Sequence, residues 1–312
     1  MISEHAKVGI VTVTYNSAEV LEDFLDSLVA QVGANLHVYI VDNASADRTL
    51  EIVEQYDGKL PITTIANSEN TGIAVGNNQG TEQAIADGVD WILFHNNDTI
   101  LPPDAVATLV QVASANSIDL LSPLIEATDP PGSVWYAGGD INRALGMKPT
   151  HSSAGGAIAD VHIELMPVGY ASTCSLLVNP RVLHDIGLMD PVYFVYYDDI
   201  DFAVRVVDAG YQFWLTPATT VIHKASSLTG GPDSPFFIRW RSRNWVLIAR
   251  KYTPRAKRWM PLLYIQAWAL ARLVLRRDSW TAWKLRQKSF REGMRVPTDT
   301  VAPRLPARPN PE

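Results

Sequence analysis

Trp91-Ile92-Leu93-Phe94 runs directly into His95-Asn96-Asn97-Asp98. An apolar run of this length reads as a buried parallel strand. The polar knot then falls at the strand's carboxyl end, where open α/β sheets bind ligands. There the Asp98 oxygens can hold a hard cation against a diphosphate, although strand-end Asp and Asn also serve as caps. A second cluster, Tyr196-Tyr197-Asp198-Asp199-Ile200-Asp201, packs three carboxylates into four positions. Their mutual repulsion raises at least one pKa, which suits a general base acting on a hydroxyl group. Acids at a helix start also complement its dipole. Val221-Ile222-His223 delivers one imidazole from an apolar strand. It is a metal ligand or a phosphate donor if the chain folds it back beside Asp98, and a structural histidine otherwise.

The elements that must position these groups alternate. Strands are expected over Val8–Thr14, Leu36–Val41, Pro61–Ala66 and Trp91–Phe94. Helices are expected over Ala18–Gln31, Ala46–Tyr56, Ile73–Asp87 and Pro103–Ala115, the last with prolines in its first turn. Strands separated by helices indicate βαβ units and a doubly wound sheet. Residues 120–180 are rich in Gly and Pro and predict a mixed or antiparallel extension, followed by helices over Pro180–Ile186 and Asp199–Ala209. Polar residues end the early strands: Thr14-Tyr15-Asn16, then Asp42-Asn43, with Glu69-Asn70-Thr71-Gly72 before the third helix. An acid after the second strand of a nucleotide-binding half commonly meets a ribose or base edge, and each of these residues is also a good helix cap. Gly72-Ile73-Ala74-Val75-Gly76 does not follow the first strand and matches no dinucleotide or P-loop fingerprint. A diphosphate held here therefore needs a metal, which returns the argument to Asp98.

The chain has 312 residues, 47% hydrophobic and 19% charged, as expected for a folded globular protein with one large or two modest domains. A single cysteine, Cys174, excludes an internal disulfide and a cysteine-rich zinc cage, and reads as a small buried apolar residue. Glu4 and Lys7 precede a short apolar run that reads as a first strand and not as a signal peptide.

In order along residues 7–230, the chain resembles the family 2 glycosyltransferases of GT-A fold, in particular their rhamnosyltransferase-like branch. The resemblance rests on Thr14-Tyr15-Asn16, Val41-Asp42-Asn43-Ala44-Ser45, Asn70-Thr71-Gly72 with Gly76-Asn77-Asn78-Gln79-Gly80, Asn96-Asn97-Asp98, Gly169-Tyr170-Ala171-Ser172, Asp198-Asp199-Ile200-Asp201 and His223-Lys224. It implies a GT-A type, nucleotide-binding, doubly wound mixed sheet with a basic helical C-terminal extension. It assigns the nucleotide to Thr14, Tyr15, Asn16, Asp42, Asn70, Gly72, Asn77, Asn96 and Asn97, and a divalent cation (Mg²⁺ or Mn²⁺) to Asp98 and His223. Asp199 would be the catalytic base, with Asp198, Asp201 and Tyr197 supporting it or the acceptor. Asn96 stands where the family's Asp-x-Asp motif begins, leaving fewer acidic ligands, and Asp198 stands where Glu is usual.

The domain expectation is a catalytic unit over 1–235, with a nucleotide-sugar half to about 120 and an acceptor half over 121–235. A basic, Trp-rich helical segment over 236–295 and a disordered tail over 296–312 follow. Residues 1–235 hold 8 Lys and Arg against 29 Asp and Glu, a net of −21, whereas residues 236–295 hold 16 against 2, a net of +14. This asymmetry points the C-terminal segment at an anionic surface. Met260–Leu275 is apolar but short and interrupted by Arg272; a membrane span needs ~20 residues. Flanking tryptophans and arginines suit an interfacial helix or a subdomain packed on the body, and equally a homodimer face. No nucleic-acid motif accompanies the charge. The resemblance therefore implies an inverting enzyme moving a sugar from dTDP-rhamnose or a UDP-sugar to a saccharide acceptor on a lipid carrier, peripheral on the cytoplasmic face of the membrane. The alternatives are a nucleotidyltransferase, disfavoured because Thr14-Tyr15-Asn16-Ser17 replaces a phosphate loop, and a non-catalytic membrane scaffold.

Overall fold

The computed structural model describes residues 6–224, 231 and 233–306. The strands are β1 (Lys7–Thr14), β2 (Asn35–Asp42), β3 (Ile62–Ala66), β4 (Trp91–His95), β5 (Thr99–Ile100), β6 (Leu120–Thr128), β7 (Pro131–Tyr136), β8 (Gly139–Asn142), β9 (Lys148–His151), β10 (Met166–Val168), β11 (Ser175–Val178) and β12 (Phe213–His223). The helices are α1 (Ala18–Val29), α2 (Thr49–Glu54), α3 (Ile73–Ala86), α4 (Ala105–Ala115), α5 (Pro180–Ile186), α6 (Asp198–Asp208), α7 (Pro235–Tyr252), α8 (Trp259–Val274) and α9 (Trp280–Arg295).

One mixed sheet carries the chain in the order β10-β12-β6-β11-β4-β1-β2-β3. Strands β3, β2, β1 and β4 are parallel, β11 enters antiparallel between β4 and β6, and β6 runs parallel to β12. Strand side chains alternate between faces. Val8, Ile10 and Leu93 accordingly pack with Phe24 and Leu109 in one hydrophobic cluster, and Val11, Ile92 and Phe94 with Phe202 and Val246 in the other. Burial on both faces explains the unbroken apolar runs. The strand order reverses between β1 and β4, so the crevice at their carboxyl ends is the binding position of such a sheet. Helix α3 lies close on β1 because Gly76 and Gly80 face it: a Cβ at either would come within 2.7 Å of the Val13 or Val11 side chain.

Several boundaries differ from expectation. Helix α2 is confined to Thr49–Glu54 because Asp47 is spent in the turn before it, accepting from the Thr49 and Ala18 amides. Pro102 and Pro103 precede α4 instead of forming its first turn, and their carbonyls accept from Gln31 Nε2 and the Val32 amide.

The basic segment is helical as expected, and α7 is a core helix: Trp245, Val246, Leu247, Ile248 and Ala249 are buried. The expected disordered tail is corrected over residues 297–306. This segment lies along the body, where the Leu188 amide donates to Pro303 O (2.8 Å), Thr300 Oγ1 to Asp190 (2.8 Å), and Ala302 is buried. Proline carbonyls remain good acceptors even without an amide to give. Residues 307–312 lie outside those described. At the join of the two halves, Asn78 makes a paired bond to the Met189 backbone (2.8 Å each way), and the Ile73 amide donates to Phe194 O (2.7 Å). No helix among the described residues is long and apolar enough to cross a membrane.

Candidate active site

The site begins where β4 ends. Strand β12 pairs antiparallel with β5, setting His223 opposite Thr99, and the Lys224 amide donates to Asp98 O (2.8 Å). This ladder brings His223 Nε2 to 3.3 Å from Asp98 Oδ1, both side chains largely buried. Burial opposes charge on His223, but the adjacent Cys174 sulfur and Asp98 carboxylate outweigh it and raise the imidazole pKa to about 10. The fully buried His95 is instead pushed down to about 3 by desolvation and stays neutral, its Nε2 bonded to Thr99 Oγ1 (2.7 Å).

Asp98 Oδ1 has no hydrogen-bond partner among the described residues. One carboxylate oxygen and one imidazole nitrogen, once the incoming cation displaces the ring proton, suit a hard divalent cation that shares its coordination with phosphate oxygens and water. No cluster of three or more His, Cys, Asp or Glu side chains that could hold a metal by itself occurs among the described residues. The donor set thus fits a cation arriving with a diphosphate.

Across the same cleft stands the start of α6. Tyr196 and Tyr197 hold φ values of 62° and 70°. Two successive non-glycine residues in this region mark a strained turn of the kind retained at functional sites. The turn presents Asp198 and Asp199 to the cleft. Asp199 accepts from Tyr170 Oη and from the Ile200 amide (2.8 Å). Burial raises the Asp199 pKa, partly offset by those two bonds. Asp198 is raised well above the carboxylate range by burial and by the Asp199 charge. Tyr197 is buried in the cleft wall.

Asp201 corrects the expectation of a three-acid cluster. It is fully buried on the far side of α6, bonded to Arg205 Nε (2.9 Å), Lys251 Nζ (2.8 Å) and Tyr252 Oη (2.8 Å). Its three partners make it a tie between α6 and α7, away from the cleft.

The cleft has a volume of about 600 Å³. Its wall is a chain of rings: Trp135 lies 4.5 Å from His223 and 5.6 Å from His151, centroid to centroid, and His151 lies 5.9 Å from Tyr170. The rings lead from the Asp98 side to the Asp199 side. Arg241, reaching in from α7 over the Phe237 ring (5.3 Å), is the one Lys or Arg lining the cleft among the described residues. Reading by sequence assigned no role to His151, Tyr170 or Arg241. Their only signals were a histidine in the Gly- and Pro-rich middle region, a tyrosine inside a quoted motif, and one arginine among many.

The nucleotide set separates into two groups. Asn96 and Asn97 line the cleft, and Asn97 Nδ2 bonds Val13 O (2.7 Å), joining the ends of β4 and β1. Beside them Asp42 is buried and accepts from Thr14 Oγ1 (2.8 Å), Ser45 Oγ (2.5 Å) and the Ser45 amide (2.9 Å). Asn16 Oδ1 accepts from the Ala46 amide (2.8 Å), and Tyr15 is half exposed (48%) beside it. Thr14, Tyr15, Asn16 and Asp42 lie outside the cleft lining, and so do Asn70, Gly72 and Asn77. Asn70 accepts from the Gly72 amide (3.0 Å), and Asn77 turns its amide to the Met189 sulfur (3.4 Å). Gly72 has φ 87°, and a Cβ there would sit 2.4 Å from Phe194 O. These three residues serve a turn and a helix packing face.

A parallel 3-2-1-4 half, an antiparallel join to a second half, and an acid-lined cleft across the strand ends make a fold of GT-A type. Solved structures share it: GalNAc-T7 with UDP, GalNAc and Mn²⁺ superimposes with a TM-score of 0.66 over 94% of this chain and 56% of that one at 15% identity. Staphylococcus aureus TarS 1–349 in complex with UDP gives 0.54 over 83% and 71% at 17% identity. Residues 9–161 match the sequence profile described as Glycosyl transferase family 2. The N-acetylglucosaminyl-diphospho-decaprenol L-rhamnosyltransferase of Mycobacterium tuberculosis is 28% identical over 262 residues, covering 78% of this chain and 84% of that protein. Galactofuranosyltransferase GlfT1 of Mycolicibacterium smegmatis is 26% identical over 253 residues, covering 76% and 82%. Residues 9–161 thus carry a family 2 glycosyltransferase domain, and the relatives support an enzyme of the hexosyltransferase type similar to the rhamnosyltransferase-like branch. The nucleotidyltransferase and scaffold alternatives are thereby set aside.

Proposed function

We propose that this enzyme inverts a sugar as it moves it from dTDP-rhamnose or a UDP-sugar to a saccharide acceptor on a lipid carrier, during cell-wall glycan synthesis at the cytoplasmic face of the membrane. The sugar and acceptor classes rest on the names of the two bacterial relatives. The observation that carries the chemistry is a single cleft with the Asp98–His223 pair at one end and Asp199 at the other.

Asp98 and His223 would hold Mg²⁺ or Mn²⁺, which when bound neutralises charge growing on the leaving diphosphate. Asp42, Thr14 and Asn16, at the ends of β1 and β2, receive the nucleobase and ribose. Asp199 accepts the proton of the acceptor hydroxyl as that oxygen bonds to the anomeric carbon. The bond from that carbon to the diphosphate oxygen breaks on the opposite face, and the configuration inverts. A raised pKa brings Asp199 nearer to working pH, where a general base is most effective. Tyr170 fixes the carboxylate's orientation, and the Trp135–His151 wall offers apolar ring faces to a sugar.

The test is calorimetric titration of the full chain with UDP and with dTDP, with and without Mn²⁺. Binding of one nucleotide should strengthen at least about tenfold with metal and lose that increment in Asp98→Ala. Metal-independent binding, or none of either nucleotide to folded protein, would remove the reading.

A further inference from the structure

Helix α8 is covered on one face only. Ile265 and Ala269 are buried, and Trp268 meets Trp245 at 5.3 Å. The opposite face exposes Trp259 (64%), Leu263 (62%), Leu270 (52%) and Val274 (70%), with exposed Ala267 between. Steps of four, four, three and four residues follow the helical repeat, so the stripe runs the length of the helix, about 24 Å. Soluble monomers rarely leave so long an apolar strip uncovered.

The surroundings of the stripe select its occupant. Exposed Arg255 and Lys257 precede it, exposed Arg276 and Arg277 follow it, and no acid occurs from Pro254 to Arg277. A two-fold pairing of identical stripes sets the same patch against itself, bringing cation against cation with no carboxylate between them. An anionic lipid surface instead answers both the apolar face and its basic ends. Sixteen residues are too few to span a bilayer.

We propose that α8 lies in the plane of an anionic membrane surface, with the Trp259–Leu263–Leu270–Val274 stripe in the headgroup–acyl boundary and the four flanking cations on lipid phosphates. This locates the membrane contact of the preceding reading on a particular helix face, and it rests on that reading only for its biological purpose.

The test is sedimentation of the full chain with vesicles of phosphatidylcholine alone or mixed with phosphatidylglycerol. Partition should be at least about tenfold stronger on the anionic vesicles, since each near-surface cation contributes about fivefold, and should weaken in high salt. The exposed double variant Leu263→Glu/Leu270→Glu should keep its melting temperature and nucleotide binding while losing at least about tenfold in partition. Arg276→Glu should weaken anionic binding alone. Undiminished binding of the double variant overturns the proposal. So does a dimer that dissociates in the double variant without any vesicle binding, which would assign the stripe to a second copy. Calorimetric nucleotide binding on the same samples separates failure here from failure of the catalytic reading.

Discussion

Asp199 carries two demands that pull its pKa in opposite directions. Burial raises it, and the hydrogen bond from Tyr170 restrains the rise. Asp199→Asn removes the proton acceptor but keeps the shape, so turnover should fall about a thousandfold, while nucleotide affinity stays within about twofold. Single-turnover kinetics beside calorimetry would show this, and a variant with most of its activity intact would end the assignment. Tyr170→Phe removes one bond to the ionised form. The Asp199 pKa should then climb further, moving the acid limb of the pH–rate profile upward by about a unit, with activity regained at higher pH. A limb that stays put, or moves to lower pH, contradicts the geometry. Asp98 and Asp199 could be singled out as candidates because Asp98 follows the end of a strand and Asp199 lies at the start of a helix. Asp201 was not, since its partners Lys251 and Tyr252 lie fifty residues away and only folding brings them together. The roles of His151 and Tyr170 escaped for the same reason: they and Trp135 come from separate segments, and only their assembly makes a wall.

Between α6 and α7, Lys251 sits 2.6 Å from Asp190 and 2.8 Å from Asp201, in a cluster almost closed to water. Removing one member of a buried ion cluster leaves charges without partners and typically costs about 3–5 kcal/mol. Lys251→Met should therefore lower the melting temperature sharply at neutral pH. The folded Asp190 pKa is depressed, with Lys251 the leading bond opposing burial. Its contribution in the native enzyme is present above the ordinary carboxylate pKa and is lost as pH falls through the depressed value. In Lys251→Met the buried Asp190 carboxylate loses its cation and is more readily protonated, so the deficit relative to the native chain should shrink as pH falls toward 4. Melting curves at pH 7.5 and 4.5 decide this; a deficit that grows in acid would refute it. The alternation of strand and helix over the first 120 residues was readable because β1 to β4 are buried on both faces. Element ends were harder, because side chains such as Asp47 and backbone carbonyls such as Pro103 set them through distant bonds.

For the whole molecule, charge and core divide the chain in different places. The acidic to basic change falls near residue 235, and by composition it suggested a separate basic segment, turned to an anionic surface or packed on the body. The cores disagree: Trp245, Val246 and Leu247 are buried with Phe202 and Phe94. We expect a chain ended at residue 235 not to fold, because it exposes that apolar surface and strips Asp201 of two partners. Circular dichroism and size-exclusion chromatography would show loss of cooperative melting and aggregation; a compact, UDP-binding fragment would disprove the expectation. The basic helices are then a structural wall of the catalytic body, whose α7 also contributes Arg241 to the cleft.

The paired Asn78–Met189 bonds and the Ile73–Phe194 bond tie the two halves together at their join. A cleft stitched along its spine does not open like a book. Its choice among sugars then falls to what stands on the rim rather than to a hinge. Efforts to retune the donor or acceptor should recut the Trp135–His151 wall and leave the spine alone.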